Sequence, residues 1–439
     1  MSLRRVVASI RPLLLAPLVA ACQPSPPSQG PAEAPAEPSQ PGQPTEPGPS
    51  GPATFKDADY APTDADRADV GAHAAAGNRF AAGLYGQVRS GAGNLAMSPL
   101  SVRTALAMTY GGARGETAKA MAGALRFELE GDRLHAAESA LAESLRGAVS
   151  GDQLLSIANR LWGQRGEGFL GEYLQLTRSY YGAALGELDF AGDAEGARGT
   201  INGWVSDQTK AKIPELLARG VINSNTVLVL TNAIYFKGQW QSRFDPAKTK
   251  QETFKVADKT VTTAMMHQKA RLPIAEDALA QALELAYVGE RLSMVVVLPK
   301  AVDGLAKVEA SVVDGGLDGL LGGLAPAEVE VALPRFKVEG SFELAEPLKA
   351  LGMGVAFGGG ADFTGMNGRG GLFVSAVVHK AFVEVNEEGT EAAAATGVVM
   401  TRSLPRVVRF TADHPFLFAI RDRKTGAILF LGRVVNPNA

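Results

Sequence analysis

Apolar residues recur three or four positions apart in Asp69 to Gln87, Pro99 to Tyr110, Arg133 to Arg146 and Thr200 to Ala218. That spacing lines one face of an α-helix and predicts helices in all four segments. Thr226 to Phe236, Leu292 to Leu298, Glu328 to Leu333, Leu372 to Val385, Val407 to Thr411 and Phe416 to Arg421 are richer in Val, Leu and Phe and predict strands. Helical patterns come first and strand patterns later, without regular βαβ alternation. This order predicts an α+β fold.

One segment fits neither pattern well. Val383 to Met400 reads Val-Glu-Val-Asn-Glu-Glu-Gly-Thr-Glu-Ala-Ala-Ala-Ala-Thr-Gly-Val-Val-Met. Read locally, Thr390 caps a helix of only about two turns through the four alanines. At period two, Thr390, Ala392, Ala394, Thr396, Val398 and Met400 share one face, and Glu391, Ala393, Ala395, Gly397, Val399 and Thr401 share the other. The first face carries no charge. Small side chains of this kind suit a segment that must live both as an exposed loop and as a central strand. Gly389 supplies a pivot tolerant of unusual dihedrals just before it.

The chain has 439 residues, 46% apolar and 20% charged, enough to bury a sizeable core, and length alone suggests two or three domains. A sharp change in composition lowers that count. Residues 23 to 52 hold 11 of the 25 prolines among Ser, Gln, Gly, Glu and Ala, which predicts an extended, solvated tether. Before it, Arg4, Arg5 and Arg11 are followed by an apolar stretch from Leu13 to Ala21, shorter than the roughly 20 residues a membrane helix needs. The stretch ends Val19-Ala20-Ala21-Cys22 and resembles a bacterial lipobox, with the only cysteine of the chain at the cleavage position. The expected organisation is a lipoprotein signal peptide at 1–22, a Pro-rich tether at 23–66 and one folded domain at 67–439. Lipidation at Cys22 predicts anchoring in the cell envelope, in the outer membrane if the source is Gram-negative, where multiple acyl chains make binding stable. An ordinary secretory signal, giving an extracellular protein, is the alternative.

A formal net charge of −3 with no long basic run argues against a phosphate-neutralising surface, so no nucleic-acid partner is expected. One cysteine excludes a disulfide framework within the chain, and five scattered histidines give no zinc-ligand spacing. HExxH, GxSxG and GxxxxGK[ST] are absent. No metal site, no cofactor and no enzymatic activity are expected.

Eight segments, in order, give the chain a resemblance to the serpin family of serine protease inhibitors across nearly all of 67–439. They are Asn94 to Ser101 (NLAMSPLS), Ile201 to Trp204 (INGW) through Lys212 to Leu217 (KIPELL), Leu230 to Trp240 (LTNAIYFKGQW), Leu333 to Phe336 (LPRF), His379 to Ala381 (HKA), Asn386 to Glu391 (NEEGTE), Ala412 to Phe418 (ADHPFLF) and Phe430 to Pro437 (FLGRVVNP). The resemblance implies three β-sheets, about nine α-helices and an exposed reactive-centre loop. It implies a monomer that traps serine proteases as a covalent acyl-enzyme when the cleaved loop inserts into the main sheet.

Residue by residue, Ser98, Ser101, Asn232 and His379 match the hydrogen-bonded shutter beneath the sheet opening. They also resemble a hydrolytic constellation, but no Asp stands at triad spacing. Trp240, Arg335 and Glu388 match the breach at the top of the sheet, where the resemblance implies an Arg335–Glu388 pair. Gly389, Thr390, Glu391, Ala392, Ala393, Ala394 and Ala395 match the loop hinge. The usual interval from Gly389 places the cut after Ser403, which suits elastase-like enzymes. The string Arg402-Ser403-Leu404 resembles loops cut after arginine, which suits the carboxylate-floored pocket of trypsin-like enzymes. Arg402 is the preferred position, ahead of Ser403, with Met400 and Leu404 behind them. A non-inhibitory serpin serving as a surface binding module is the competing functional class, and the uncharged hinge argues against it.

Overall fold

The computed structural model describes residues 58–149, 153–257, 259–389 and 407–439. The signal sequence with Cys22, the tether as far as residue 57, and Thr390, Glu391, Ala392, Ala393, Ala394, Ala395, Arg402 and Ser403 lie outside the described residues.

Helix α1 (Asp64–Val88) opens with a capping box. Thr63 accepts from the Asp66 N–H through its hydroxyl, and the Asp66 carboxylate accepts from the Thr63 N–H at 2.7 Å. After strand β1 (Leu95–Met97), helix α2 (Pro99–Tyr110) starts from the Ser98 cap with Pro at its first position, where a missing N–H is harmless. Helices α3 (Gly115–Leu125) and α4 (Gly131–Arg146) follow. Strand β2 (Leu154–Gln164) then interrupts the helical half, where the hydrophobic pattern predicts no strand. Helix α5 (Gly171–Tyr181), strand β3 (Gly186–Leu188), helix α6 (Ala194–Gln208) and strand β4 (Leu228–Lys237) complete the first part.

The second part is mostly strand: β5 (Lys250–Val256), β6 (Lys259–Glu276), β7 (Ala280–Ala286) and β8 (Leu292–Pro299). Helices α7 (Leu305–Val313) and α8 (Gly316–Gly322) precede β9 (Ala325–Pro334) and β10 (Phe336–Glu343). Last come β11 (Ala376–Val385), β12 (Val408–Thr411), β13 (Phe416–Asp422) and β14 (Ile428–Val434).

The strands form a five-stranded sheet ordered β10-β11-β4-β2-β3 and a nine-stranded ladder. The long strand β6 divides that ladder into two smaller sheets. Its residues 259–265 pair with β5 and 265–274 with β9, and β9 pairs with β12; its last residues, 274–276, pair with β7, which leads to β8, β13, β14 and β1. Three sheets and an α+β class are thus present, with ten α-helical segments among the described residues.

Strand β4 is buried along nearly its whole length because it is covered on both faces. Ile234 and Phe236 face a core shared with Phe336, Phe416 and Phe418. Val229 and Ala233 face α6, whose Ile201 and Val205 lie in the same apolar cluster. The continuous helix expected over Thr200 to Ala218 is not formed. Helix α6 stops at Gln208, and Lys210 and Ala211 adopt left-handed φ values of 52° and 59° that no right-handed helix admits. The strand expected from Leu372 begins four residues later, at Ala376.

Candidate functional site

The five-stranded sheet has a parallel pair at its centre. Strands β11 and β4 run side by side with His379 opposite Asn232 and Phe382 opposite Tyr235, while the flanking β10–β11 and β4–β2 pairs are antiparallel. A strand lying between β11 and β4 in the reverse sense would be antiparallel to both, a slightly more stable arrangement per residue than the parallel pair it replaces.

Beneath this seam sit Ser98, Ser101, Asn232 and His379, all fully buried. The cap of α2 brings Ser98 there, and the sheet register brings the other two elements. The Ser98 N–H donates to His379 Nε2 at 2.9 Å, so Nε2 carries no proton and the imidazole donates through Nδ1 to Asn232 Oδ1. Asn232 in turn donates from Nδ2 to Ser101 Oγ and to Asn159 Oδ1. The Ser101 hydroxyl donates to Asn159 Oδ1 at 3.0 Å, and Asn159 Nδ2 donates to the Ser101 carbonyl at 3.1 Å. Burial depresses the His379 pKa to about 3, against a weaker opposing contribution from its hydrogen bond to Asn232. A neutral ring with one donor and one acceptor, both used, is the result. The Ser98 hydroxyl accepts from the Ser101 N–H at 3.3 Å, and neither hydroxyl donates to the imidazole. This is a structural network and not a nucleophile–base pair.

Asn159 is a hub of that network that sequence reasoning missed. It lies on β2, the strand the pattern did not reveal, and faces Asn232 in the β2–β4 register.

At the top of the seam Trp240 is buried and stacks on Tyr287, with ring centroids 4.5 Å apart and planes 10° from parallel. Its indole N–H donates to the Asn386 carbonyl at 2.9 Å. The Trp240 and Phe244 N–H groups donate to the carbonyls of Glu388 and Glu387, each at 2.9 Å. The sequence-based pairing of Arg335 with Glu388 is corrected here: Arg335 holds Glu387. Its Nε donates to both carboxylate oxygens at 2.8 Å, and Nη2 donates to one of them. The reason is the turn that follows β11: Asn386 and Gly389 close it, and of its two central residues Glu387 is buried while Glu388 is half-buried.

Glu387 is only 4% exposed and also accepts from the Thr249 hydroxyl. Burial raises its pKa, but the Arg335 and Thr249 hydrogen bonds outweigh that and hold it below the ordinary carboxylate value. Arg335 also lines a cleft of about 590 Å³ together with Phe336, Lys337, Val385 and Asn386.

Gly389 closes a tight turn with Asn386, each N–H donating to the other's carbonyl at 3.2 Å. Its φ is 102°, and a Cβ there would meet the Gly238 carbonyl oxygen at 2.4 Å and the Trp240 nitrogen at 2.5 Å. Only glycine fits this position. Among the described residues no group of His, Cys, Asp and Glu is arranged to hold a metal ion.

A family profile described as "Serpin (serine protease inhibitor)" matches residues 75–437. The leukocyte elastase inhibitor of Bos taurus is 45% identical over 378 residues, covering 83% of this chain and 99% of that protein. An uncharacterized serpin-like protein of Thermococcus kodakarensis is 41% identical over 364 residues, covering 82% and 84%. Among solved structures, a highly specific serpin of the insect Tenebrio molitor superposes with a TM-score of 0.75 at 32% identity, covering 83% of this chain and 98% of that one. An Arabidopsis serpin in its native stressed conformation gives a TM-score of 0.76 at 31% identity, covering 84% and 99%.

Proposed function

Because the chain belongs to the serpin (serine protease inhibitor) family, we propose that it inhibits its target by suicide cleavage, with the loop after Gly389 as bait. The protease serine attacks the carbonyl of the recognised residue, the peptide bond to the next nitrogen breaks, and that nitrogen leaves as an amine with the proton passed on by the protease histidine. An ester now joins inhibitor and enzyme. The freed strand enters between β11 and β4, and the observation that carries this reading is their parallel pairing inside antiparallel neighbours. Twelve residues from Thr390 to Thr401 at about 3.3 Å each give a travel of roughly 40 Å. The native fold before cleavage is then held by a kinetic barrier.

Recognition is assigned to Arg402, whose guanidinium would pair with the buried carboxylate of a trypsin-like pocket. A second reading, a cut after Ser403 by an elastase-like enzyme, gains support from relatives that carry the name leukocyte elastase inhibitor. Lipidation of Cys22 would tether the inhibitor to the cell envelope.

Mixing the protein with trypsin and with elastase tests these readings together. An SDS-stable complex with trypsin, a released peptide beginning at Ser403 and an association rate lowered by orders of magnitude in Arg402→Ala are expected. A peptide beginning at Leu404, with elastase trapped and Arg402→Ala unaffected, would move the assignment to Ser403. Cleavage by both enzymes without any stable complex would refute inhibition itself.

A further inference from the structure

We propose that Lys212 is a positioning residue that keeps the β4–β11 seam shut before cleavage, an inference that rests on the insertion reading above. After α6 the chain reverses through Lys210 and Ala211, consecutive non-glycine residues with φ of 52° and 59°. Such conformations are disfavoured and persist where surrounding contacts impose them. Here the contacts are explicit. The Ala211 N–H donates to Ser206 O at 2.8 Å, the Lys212 N–H to Thr209 O at 3.0 Å, and the Ile213 N–H to Thr209 Oγ1 at 3.1 Å. Farther on, Asn202 Oδ1 accepts from the N–H groups of Leu216 and Leu217, and Lys380 of β11 donates to the Glu215 carbonyl at 3.3 Å.

This turn sets an exposed lysine over the seam itself. Lys212 Nζ lies 5.8 Å from the ring centroid of Tyr235 on β4 and 5.7 Å from that of Phe382 on β11. The two rings are register partners, 5.9 Å apart, and point outward, opposite to Asn232 and His379. Lys337 of β10 covers Phe382 as well, at 4.9 Å. Lys212 makes no ion pair among the described residues, so these rings are its contacts. A cation over an aromatic face is attracted within about 6 Å of the centroid. Parting β4 and β11 by one strand spacing, about 4.8 Å, takes the ring centroids from 5.9 Å to roughly 11 Å apart, so an ammonium seated over one face no longer lies over the other. The shared cation thus favours the closed seam and is lost on opening.

The test uses the intact protein and an acetylated synthetic peptide with the sequence of Thr390 to Thr401, added in excess. Incorporation is followed by native electrophoresis and by the rise in thermal denaturation temperature. Lys212→Met keeps the aliphatic stem without the charge and should take up peptide about two- to fivefold faster than wild type. Lys212→Arg, which keeps a cation, should stay near the wild-type rate, a rescue that a merely steric role would not give. In a Phe382→Leu background, Lys212→Met should add little further acceleration. Equal or slower uptake by Lys212→Met, with wild type incorporating normally, overturns the proposal and leaves the insertion reading standing. No uptake by wild type or any variant overturns the insertion reading, and this proposal falls with it.

Discussion

The buried imidazole of His379 makes the native fold acid-sensitive in a window that can be worked out. Its folded pKa of about 3 lies below the ordinary value of 6.5, so the unfolded chain takes up the proton first. The stability His379 contributes is fully present above about pH 6.5 and is lost as the pH falls toward the folded value. Each pH unit in that window removes about 1.4 kcal/mol, or about 2 kcal/mol in all by about pH 5. The ring's neighbours offer no charge to offset this: the Ser98 N–H, the Asn232 amide and the Phe342 ring, stacked at 6.1 Å. His135 adds a parallel loss, since burial lowers its pKa to about 4 despite Glu138 and Asp132 nearby. Carboxylates held low, such as Glu387, act only below the ordinary carboxylate value and stay outside this window.

His379→Gln retains one donor and one acceptor but cannot titrate. Chemical unfolding followed by near-UV circular dichroism, at about pH 7.5 and at about pH 5, compares each protein with itself, so any constant loss in the variant cancels. Wild type should lose about 4 kcal/mol between the two conditions and His379→Gln about half of that. An unchanged loss in the variant would show that His379 is not the proton acceptor and would refute the reasoning.

Glu387→Ala leaves the Thr249 hydroxyl and Arg335 without their acceptor. An unfolding experiment should show a loss of about 2 kcal/mol, at the low end for a broken buried pair because the Arg335 side chain is 49% exposed and rehydrates; no loss would sink the assigned pairing. Thr390→Arg would place a long cation on the inward face of an inserted strand, where an unpaired charge costs several kcal/mol. That variant should be cleaved by the target protease without a stable complex on SDS gels, and full inhibitory stoichiometry would contradict the period-two pattern of the loop. Cys22→Ser should abolish metabolic labelling with palmitate and release the protein from the membrane fraction; equal labelling of both forms would rule out the lipid anchor.

Ser98, Asn232 and His379 were legible through the family resemblance of the segments that carry them, and local chemistry supplied only their elements: a helical pattern from Pro99 and strand patterns over Thr226 to Phe236 and Leu372 to Val385. Asn159 was not readable because β2 is covered unevenly on both faces, so Leu154 to Gln164 shows no clean alternation. Its role depends on register with β4, a long-range property. The exchange of Glu388 for Glu387 is a different failure. The strand pattern ends at Val385, and which of two adjacent glutamates turns inward is set by the Asn386 to Gly389 turn, which strand periodicity does not describe. The early stop of α6 came from a turn that uses left-handed residues other than glycine, which propensity does not anticipate.

A kinetic barrier requires contacts that exist in the closed state and are absent while the sheet opens. Three such contacts cross the seam at different heights. The Nδ1–H of His379 to Asn232 crosses it on the inner face, Lys212 bridges Tyr235 and Phe382 on the outer face, and the Trp240 indole holds Asn386 at the top. They differ in what happens when they break. The Trp240 and His379 links are buried, so each broken hydrogen bond leaves a desolvated donor or acceptor worth about 1–3 kcal/mol. Lys212 is exposed, so water reclaims its ammonium and the loss is smaller. Asn232 keeps its bond to Asn159 on either outcome, because β2 lies on its own side of the seam. Under the proposed opening, Asn232 and Asn159 would stay with β4 while the His379 imidazole would leave with β11. The height of the barrier should respond most to that imidazole and to Trp240, with Lys212 as a finer adjustment.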